Sequence, residues 1–509
     1  MRLSVLIGGS AGQGINKVSE ILSKVLTSYG YFIFNYRDYQ SLIRGGHNFN
    51  ILSFSDEWIG SHESGVDFLI ALDGETILKH RGELKKSGII LSYEKFENFG
   101  KNLNVALAGA LIRILGIDEK YLLDEIRKEF GNEESLNVAK KGFDSQFKKY
   151  DLKKLNNKIE ILTGSKGSAI GAVNSDSNLY ITYPMTPATG LMNELANYEI
   201  KSKDLIVFQS ESEVAAINQA LGASFAGAIT MTGTSGGGFD LMTEGLSMQG
   251  QSEIPMVVYL ASRPGPSTGI PTYTSQDDLN VALRGGHGEF PRIVVAPGDP
   301  LECVEKTNEA FYLSEKYGTL SIVLTDKHLA ESEYSINKKP NKILDVKLKR
   351  KIPGKDLVKT SSYEHIRDDF AESTESAEIA KKNNLYRIEK YQRIKKEIEK
   401  LEPIKIYGKK SKNLVVSFGS TKGAILDAIK NLDCQFLQIL YLKPMSTKIK
   451  KIIEGKNLIL VEQNISGQLG RLIREKTGVE IPEKNRILKH NGRPFTSDEL
   501  EKEIGRRGK

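Results

Sequence analysis

The 509-residue sequence has little cysteine, a single tryptophan and no long apolar run. Its two cysteines, Cys303 and Cys434, exclude a disulfide framework, and neither lies in a C-x-x-C motif. We therefore expect no iron–sulfur cluster and no thiolate zinc site on this chain, and a reducing, cytoplasmic environment. No apolar stretch approaches the roughly 18 residues of a membrane span, so we expect a soluble protein that does not bind membranes.

The sequence also lacks a strong excess of one charge sign. Lys and Arg total 71 against 64 Asp and Glu, which gives a formal charge of +7. Spread over this length, the excess does not indicate nucleic-acid binding. Two Arg-Gly-Gly-His tetrapeptides, at 44–47 and 284–287, are isolated copies, and we interpret their glycines as points of close backbone approach. The seven histidines are scattered, so they predict no metal site.

The spacing of apolar residues predicts an α/β fold with several domains. Residues 1–157 alternate short apolar runs with helical patterns, which predicts a parallel sheet with helices on both faces. Residues 158–333 show the same alternation and form a second unit. Residues 334–412 are a connector rich in Lys, Glu, Asn and Asp, and residues 413–509 predict a third α/β domain.

The first predicted strand runs into a glycine-rich loop, Gly8-Gly9-Ser10-Ala11-Gly12-Gln13-Gly14. Glycines between a strand and a helix leave helix N–H groups free for an anion, but they also allow a tight turn. The spacing differs from the G-x-G-x-x-G dinucleotide fingerprint, and the acidic residue expected about twenty positions later is not clear. Phosphate binding and a purely structural turn both stay open for Gly9, Gly12 and Gly14.

In the second unit, chemically active side chains follow several predicted strands. These segments are Tyr183-Pro184-Met185-Thr186-Pro187, Glu211-Ser212-Glu213, Thr234-Ser235-Gly236 and the irregular Arg263–Thr272 loop. Ligands bind at the carboxyl ends of parallel strands, where Thr186 presents a hydroxyl and Arg263 offers a fork for a carboxylate or phosphate. Glu211 and Glu213 open an Ala-rich helix, where they either complement the helix dipole or, if desolvated, serve proton chemistry.

Taken in order, these motifs resemble the 2-oxoacid:ferredoxin oxidoreductases in the arrangement where gamma and alpha parts are fused. The glycine-rich start and Ile43-Arg44-Gly45-Gly46-His47 resemble the gamma part. The motifs that most specifically resemble the alpha part are Tyr-Pro-x-Thr-Pro at 183–187 and Arg-Pro-Gly-Pro-Ser-Thr-Gly-x-Pro-Thr at 263–272. The resemblance implies that the three α/β segments are a gamma domain, a pyrimidine-type thiamine-diphosphate domain and a transketolase C-terminal-like domain.

The resemblance also implies roles for individual residues. Glu213, or alternatively Glu211, would hydrogen-bond the pyrimidine ring of thiamine diphosphate and favour the tautomer that deprotonates its thiazolium carbon. Thr186 would bind the 2-oxoacid or the cofactor, Arg263 would pair with the carboxylate of the 2-oxoacid, and Thr272 would face the pocket for the substrate side chain. The other implied contacts are Tyr183 and Pro184 to the substrate, and Thr234, Ser235 and Gly236 to the cofactor.

The reaction implied by the resemblance is the CoA-dependent oxidative decarboxylation of a 2-oxoacid to acyl-CoA and carbon dioxide, with reduction of ferredoxin. Thiamine enzymes need a Gly-Asp-Gly and a later Asn to hold magnesium and diphosphate, and this sequence contains no Gly-Asp-Gly. With the cluster cysteines also missing, the chain is expected to hold half an active site. A beta subunit would supply magnesium, diphosphate contacts and the iron–sulfur cluster, in a heterodimer or an (alpha-beta)2 assembly.

Three questions stay open at the level of sequence. Pyruvate, 2-oxoglutarate and a broader range of 2-oxoacids are all compatible substrates, since part of the pocket would belong to the beta subunit. Gly9, Gly12, Gly14 and Arg44 are candidates for contacting the phosphates of CoA. The alternatives outside this family are an NAD(P)-dependent dehydrogenase that uses the first glycine loop and a non-catalytic binding protein, although both leave the later motifs unexplained.

We expect the purified chain alone to show no thiamine-, CoA- and 2-oxoacid-dependent reduction of a viologen dye, because it lacks the magnesium motif and the cluster cysteines. Coexpression with a beta subunit encoded by a neighbouring gene should restore activity in the same assay. Turnover by the isolated chain would contradict the prediction of a half-site.

Overall fold

The computed structural model describes residues 1–42, 45–202, 204–341, 343–347, 350–356, 358 and 375–508. The chain divides into two compact units. The first unit contains Met1–Leu162, Ser332–Lys338 and Phe495–Lys502. The second unit contains Thr163–Glu331, Lys339–Pro494 and Glu503–Lys509. The domain boundaries expected at residues 157, 333 and 412 stay a prediction.

Helices and strands alternate along much of the chain. Residues 1–162 contain β1 (Arg2–Ser10), α1 (Ile15–Ser28), β2 (Phe32–Asp38), β3 (His47–Ser55), β4 (Val66–Ala71), α2 (Gly74–His80), β5 (Leu84–Ser92), α3 (Leu103–Leu115), α4 (Glu119–Phe130), α5 (Glu133–Asp144) and β6 (Glu160–Leu162). Residues 163–336 contain α6 (Gly164–Val173), β7 (Leu179–Thr182), α7 (Thr189–Glu199), β8 (Ile206–Gln209), α8 (Glu213–Phe225), β9 (Thr230–Thr234), α9 (Gly236–Leu241), α10 (Thr243–Ser252), β10 (Met256–Ser262), α11 (Leu279–Arg284), β11 (Arg292–Val295), α12 (Pro300–Tyr317), β12 (Leu320–Asp326), α13 (Lys327–Glu331) and β13 (Glu333–Ile336). The remainder contains α14 (Ala377–Ile398), β14 (Ile404–Tyr407), β15 (Asn413–Ser417), α15 (Thr421–Ala428), β16 (Gln435–Ile439), β17 (Tyr441–Lys443), α16 (Lys448–Ile453), β18 (Asn457–Glu462), α17 (Gln468–Thr477), β19 (Arg486–Leu488) and α18 (Ser497–Arg507).

The first unit is built on a seven-stranded sheet with the order β5-β4-β1-β3-β2-β13-β6. The predicted α/β class is confirmed, but this sheet is parallel only across β5, β4 and β1. The other pairs of neighbouring strands in this sheet are antiparallel. β3 returns antiparallel to β2 because their connection, residues 39–46, has too few residues for a crossover helix.

The second unit contains a seven-stranded sheet with the order β17-β11-β12-β10-β9-β7-β8, parallel except for β17. Every residue of β10 is buried. Val258 and Leu260 pack into one apolar cluster, whereas Val257 and Tyr259 pack into another, as expected for a strand covered on both faces. We use the term carboxyl edge for the side of this sheet at which β7, β8, β9 and β10 end.

A second sheet of the same unit has five strands in the order β14-β16-β15-β18-β19. β15 lies at its centre and is parallel to both β16 and β18, while β14 is antiparallel to β16. This parallel core agrees with the α/β pattern predicted for the C-terminal residues. Within the described ranges, no helix is both long enough and apolar enough to cross a membrane.

A buried ionic cluster connects α12 to the five-stranded sheet. Glu302 accepts hydrogen bonds from Lys422 at 2.6 Å, Lys405 at 3.1 Å and the side-chain amide of Gln438 at 2.7 Å. Lys422 also pairs with Asp299, which caps the start of α12. Burial by itself would raise the pKa of Glu302, but the charges of Lys422 and Lys405 lower it to about 2. Glu302 and Lys422 are therefore both charged at neutral pH.

We expect Lys422→Met to lower the free energy of unfolding by about 3–5 kcal/mol, because it leaves the buried Glu302 carboxylate without its main counter-charge. Chemical denaturation followed by circular dichroism measures this. Lys412→Met, at an exposed lysine, is the control and should change stability by less than about 0.5 kcal/mol. Equal stabilities of the two variants would contradict the prediction.

Candidate active site

The carboxyl edge brings together residues that are far apart in sequence. Because β10, β9, β7 and β8 are neighbours in that order, the loops that follow them lie side by side. These loops carry Thr186 after β7, Glu213 after β8, Ser235 after β9 and Arg263 after β10. Each of the four predicted motifs therefore contributes to the same end of the sheet.

Glu213 is the first residue of α8 and is 4% exposed. The preceding Ser212 caps this helix by accepting a hydrogen bond from the backbone N–H of Ala215 at 3.2 Å. The Oε1 atom of Glu213 is buried and has no hydrogen-bond partner among the described residues. Glu211 is exposed instead, with Oε2 3.5 Å from the hydroxyl of Ser210. Of the two candidate acids, Glu213 is the desolvated one.

The glycine-rich first turn of α9, which we call the glycine turn, brings the backbone close to two carboxylates. A Cβ atom on Gly238 would lie 2.1 Å from Oγ1 of Thr234 and 2.8 Å from Oε1 of Glu213. A Cβ atom on Gly236 would lie 2.3 Å from Oδ1 of Asp278. Ser235 is fully buried, and its Oγ has no hydrogen-bond partner in the described part of the chain. Only glycine at these two positions lets the turn, Glu213 and Asp278 approach one another this closely.

Arg263 is fixed at the same edge of the sheet. Its Nη1 donates to the backbone carbonyl of Thr186 at 2.6 Å. Burial lowers the pKa of the guanidinium, and the negative charges of Asp278 and Glu213 oppose that shift. Arg263 thus stays a cation held near two carboxylates.

Asp278 is the functional candidate that sequence reasoning missed. Burial raises the pKa of Asp278 to about 6, against the influence of the Ser262 hydroxyl and the Arg263 charge. Its Oδ2 is buried and has no hydrogen-bond partner within the described ranges. An aspartate just before a helix usually serves as an N-cap, but this side chain makes no such cap for α11. In the sequence Asp278 looks like an ordinary helix-capping aspartate, and the structure is needed to see that it makes no cap.

The other predicted residues differ in their surroundings. Thr272 is buried, and its Oγ1 has no hydrogen-bond partner among the described residues. Thr234 is buried too, Pro184 is half-buried, and Tyr183 is exposed at the mouth of the loop after β7. Whether these residues touch substrate or cofactor stays a prediction.

The glycine loop of the first unit has structural reasons for its composition. Gly14 has a φ of 81° at the N-cap position just before α1, and a Cβ there would lie 2.3 Å from Nδ2 of Asn104. A Cβ on Gly9 would lie 2.5 Å from Oε1 of Gln13, while Gly12 has a φ of 96° and open space around it. Arg44, the fourth residue predicted to contact phosphate or CoA, lies outside the described residues.

The geometry of the carboxyl edge defines a class of protein: an α/β domain whose parallel sheet carries, at its carboxyl edge, a buried carboxylate with an oxygen that has no hydrogen-bond partner among the described residues. A family model described as pyruvate flavodoxin/ferredoxin oxidoreductase, thiamine diphosphate-binding, matches residues 170–402. A second, described as pyruvate ferredoxin/flavodoxin oxidoreductase, matches residues 4–102.

Comparison with known proteins gives the family. The 2-oxoacid:ferredoxin oxidoreductase subunit alpha of Saccharolobus solfataricus is 31% identical, covering 99% of this chain and 97% of that protein. The corresponding protein of a Sulfolobus species is 30% identical, covering 99% and 96%. The 2-oxoglutarate:ferredoxin oxidoreductase structure from Magnetococcus marinus covers 100% of both chains at 24% identity with a TM-score of 0.88, which supports the fold. The chain belongs to the 2-oxoacid:ferredoxin oxidoreductase alpha-subunit family, as the sequence resemblance predicted.

We expect Gly238→Ala to destabilise the protein by about 1–3 kcal/mol, because the new Cβ would overlap the hydroxyl of Thr234 and displace Glu213. Gly222→Ala in α8 is the matched control, since a Cβ there meets no atom within 4 Å. Removing a helical glycine should leave stability unchanged or raise it by up to about 1 kcal/mol. Thermal unfolding of both variants measures the difference, and a Gly238→Ala protein as stable as the control would show that the turn is not tightly packed.

Proposed function

We propose that this chain is the alpha subunit of an enzyme that oxidatively decarboxylates a 2-oxoacid to acyl-CoA and carbon dioxide and reduces ferredoxin. The observation that carries the proposal is the buried Glu213 carboxylate, whose Oε1 has no hydrogen-bond partner among the described residues, near the Arg263 cation at the carboxyl edge. A desolvated acid and a fixed cation are the two charges needed by a reaction that moves a proton and binds a carboxylate.

The residues around Glu213 fit the pyrimidine side of thiamine diphosphate. The unpaired Oε1 atom is available to hydrogen-bond a ring nitrogen, and the glycine turn leaves the backbone close to it. Thiamine diphosphate, when bound, supplies the carbon nucleophile and the electron sink for decarboxylation. In this proposal Glu213 holds the ring and shares a proton with it, while Thr234, Ser235 and Gly236 shape the wall beside it.

Arg263 is proposed to bind the carboxylate of the 2-oxoacid. Its bond to the Thr186 carbonyl fixes one nitrogen, so the planar guanidinium is already oriented before substrate arrives. Asp278 balances the charge of Arg263 and is proposed as a positioning residue. Thr186 and Thr272 would add hydroxyl contacts to the substrate, with Tyr183 and Pro184 at the entrance.

The substrate is proposed as a 2-oxoacid, with pyruvate and 2-oxoglutarate as the first candidates. The full-length relatives carry the general name 2-oxoacid:ferredoxin oxidoreductase, which supports a broad range. A 2-oxoglutarate synthase subunit KorA of Archaeoglobus fulgidus is 39% identical over 34% of this chain and 51% of that protein, which supports 2-oxoglutarate among the substrates. CoA is proposed as the acyl acceptor, and Gly9, Gly12, Gly14 and Arg44 stay candidates for its phosphates.

A beta subunit is proposed to complete the site. The relatives are named as alpha subunits, so the family consists of enzymes with further subunits. β8 is the edge strand beside Glu213 and leaves Ile206 53% and Phe208 48% exposed, and an apolar edge strand is a typical place for another chain to pair. Across the described ranges, no group of three His, Cys, Asp or Glu is arranged to hold a metal ion. We therefore assign magnesium and the iron–sulfur cluster to the beta subunit of a cytoplasmic heterodimer or (alpha-beta)2 enzyme that reduces ferredoxin.

We expect Glu213→Gln in the coexpressed complex to lower viologen-coupled turnover by about 10²–10⁴-fold, because the amide cannot exchange the proton that the reaction needs. Glu211→Gln is the matched control: it makes the same chemical change two residues away on an exposed side chain, and turnover should stay within a few fold.

A panel of pyruvate, 2-oxoglutarate and branched-chain 2-oxoacids in the same assay identifies the substrate. A complex that forms, binds thiamine diphosphate and turns over none of them would overturn the proposed function. Equal losses in Glu211→Gln and Glu213→Gln would instead overturn the assignment of Glu213.

A further inference from the structure

The Arg-Gly-Gly-His segment at 284–287 and the Pro291-Arg292 pair have no part in the proposed reaction, yet they line a cavity of about 1240 Å³. Arg292 begins β11, and Lys443 ends the antiparallel β17 beside it. The cavity therefore opens at the amino ends of the parallel strands, on the opposite edge of the sheet from Glu213. Helices α10 and α14 supply its other walls.

Arg292 lines this cavity, and no carboxylate among the described residues pairs with its guanidinium. Arg292 is 3% exposed. Its Nη1 donates to the carbonyl of Ala282 at 3.4 Å, and its guanidinium lies 4.5 Å from the centre of the Phe290 ring. Its Nε is buried without a hydrogen-bond partner among the described residues. Burial lowers the pKa of Arg292 to about 10. An arginine held in this way is prepared to receive an anion, because its charge is desolvated and one donor is unused.

Lys443 adds a second cation at the same place. Its Nζ donates to the carbonyl of Leu283 at 2.8 Å. Burial, together with the positive charges of Arg292, Lys476 and Arg284, lowers the pKa of Lys443 to about 8, against the opposing charge of Glu475. These positive charges repel one another in the protein as it stands, and an anion between them would relieve that repulsion.

The remaining wall is both cationic and apolar. Arg387 of α14 lines the cavity, with Nη2 3.5 Å from the carbonyl of Gly250. Met248, Ile388 and Tyr391 give it apolar and aromatic surface. The acidic lining residues, Glu244 and Glu289, are exposed, so water solvates their charges, whereas Arg292 is enclosed.

The loop that lines the cavity, residues 285–291, is held by a hydrogen bond and by close packing. The backbone N–H of His287 donates to the hydroxyl of Ser247 at 2.9 Å, and Gly286 has a φ of 90°, which favours glycine. A Cβ on Gly250 would lie 2.3 Å from the Phe290 ring, so this ring packs directly on the backbone of α10. Phe290 in turn holds the guanidinium of Arg292 in place. The cationic wall is therefore built before any ligand arrives.

We propose that this cavity binds a phosphate-bearing organic molecule, with its phosphate held by Arg292, Arg387 and Lys443. Three cations around one space suit the double charge of a phosphate. The volume exceeds what inorganic phosphate would fill, and the aromatic and apolar wall suits an attached base or other flat group. The cavity is a second ligand site, distinct from the carboxyl edge.

Titration calorimetry on the coexpressed complex tests the proposal, with thiamine diphosphate and magnesium saturating and CoA absent. The probes are inorganic phosphate, pyrophosphate and adenosine monophosphate, and we expect adenosine monophosphate to bind most tightly. Lys443→Gln and Arg387→Gln should each weaken binding by about tenfold or more, since each removes a charge-assisted hydrogen bond. Lys412→Gln removes one positive charge from an exposed position outside the cavity and should leave the affinity unchanged.

The calorimetric titrations distinguish an organic phosphate ligand, a simple anion site and the absence of a site. Inorganic phosphate binding as tightly as adenosine monophosphate, with both weakened by the cavity variants, would support an anion site but overturn an organic ligand. No heat of binding from any probe at about 10 mM, or equal affinities in wild type and both cavity variants, would overturn the site itself. Circular dichroism checks that each variant is folded, and the two cavity variants test the site independently if one of them does not fold.

Discussion

The parallel pairing of β8, β7, β9 and β10 is the constraint on which the candidate site depends. Parallel strands must be connected by crossovers, so each strand ends on the same edge and each loop begins there. Glu213, Thr186 and Arg263 come from three different connections, and only the strand order makes them neighbours. The glycine turn after β9 then sets how closely the backbone can approach two carboxylates. The chemistry of the site is thus a consequence of sheet topology.

Desolvation of charge accounts for both the stability and the proposed functions of the second unit. Lys422 and Glu302 are buried together, and their mutual attraction offsets the loss of water, so they hold α12 to the five-stranded sheet. Glu213 and Arg292 are buried with atoms that have no partner among the described residues. The free-energy cost of burying a charge is offset within the fold for Lys422 and Glu302. For Glu213 and Arg292 we propose that a bound ligand offsets it.

Much of the fold followed from local patterns. The α/β class predicted from the alternation of short apolar runs and helical patterns agrees with the strands and helices of the structure. The pairing of β13 with β2 and β6 did not follow, because β13 is contributed by a segment far along the chain. Strand partners of that kind are set by tertiary packing rather than by local sequence.

The sequence by itself determined the family, the residue types at the carboxyl edge and the absence of a Gly-Asp-Gly motif from this chain. Those are properties of residues and their spacing, which a linear pattern contains. Only the tertiary structure decided that Glu213 is buried while Glu211 is exposed, that Asp278 lies beside Arg263, and that Arg292 and Lys443 share one cavity. Burial and charge proximity depend on elements that meet across the fold, and no local pattern encodes which elements those are.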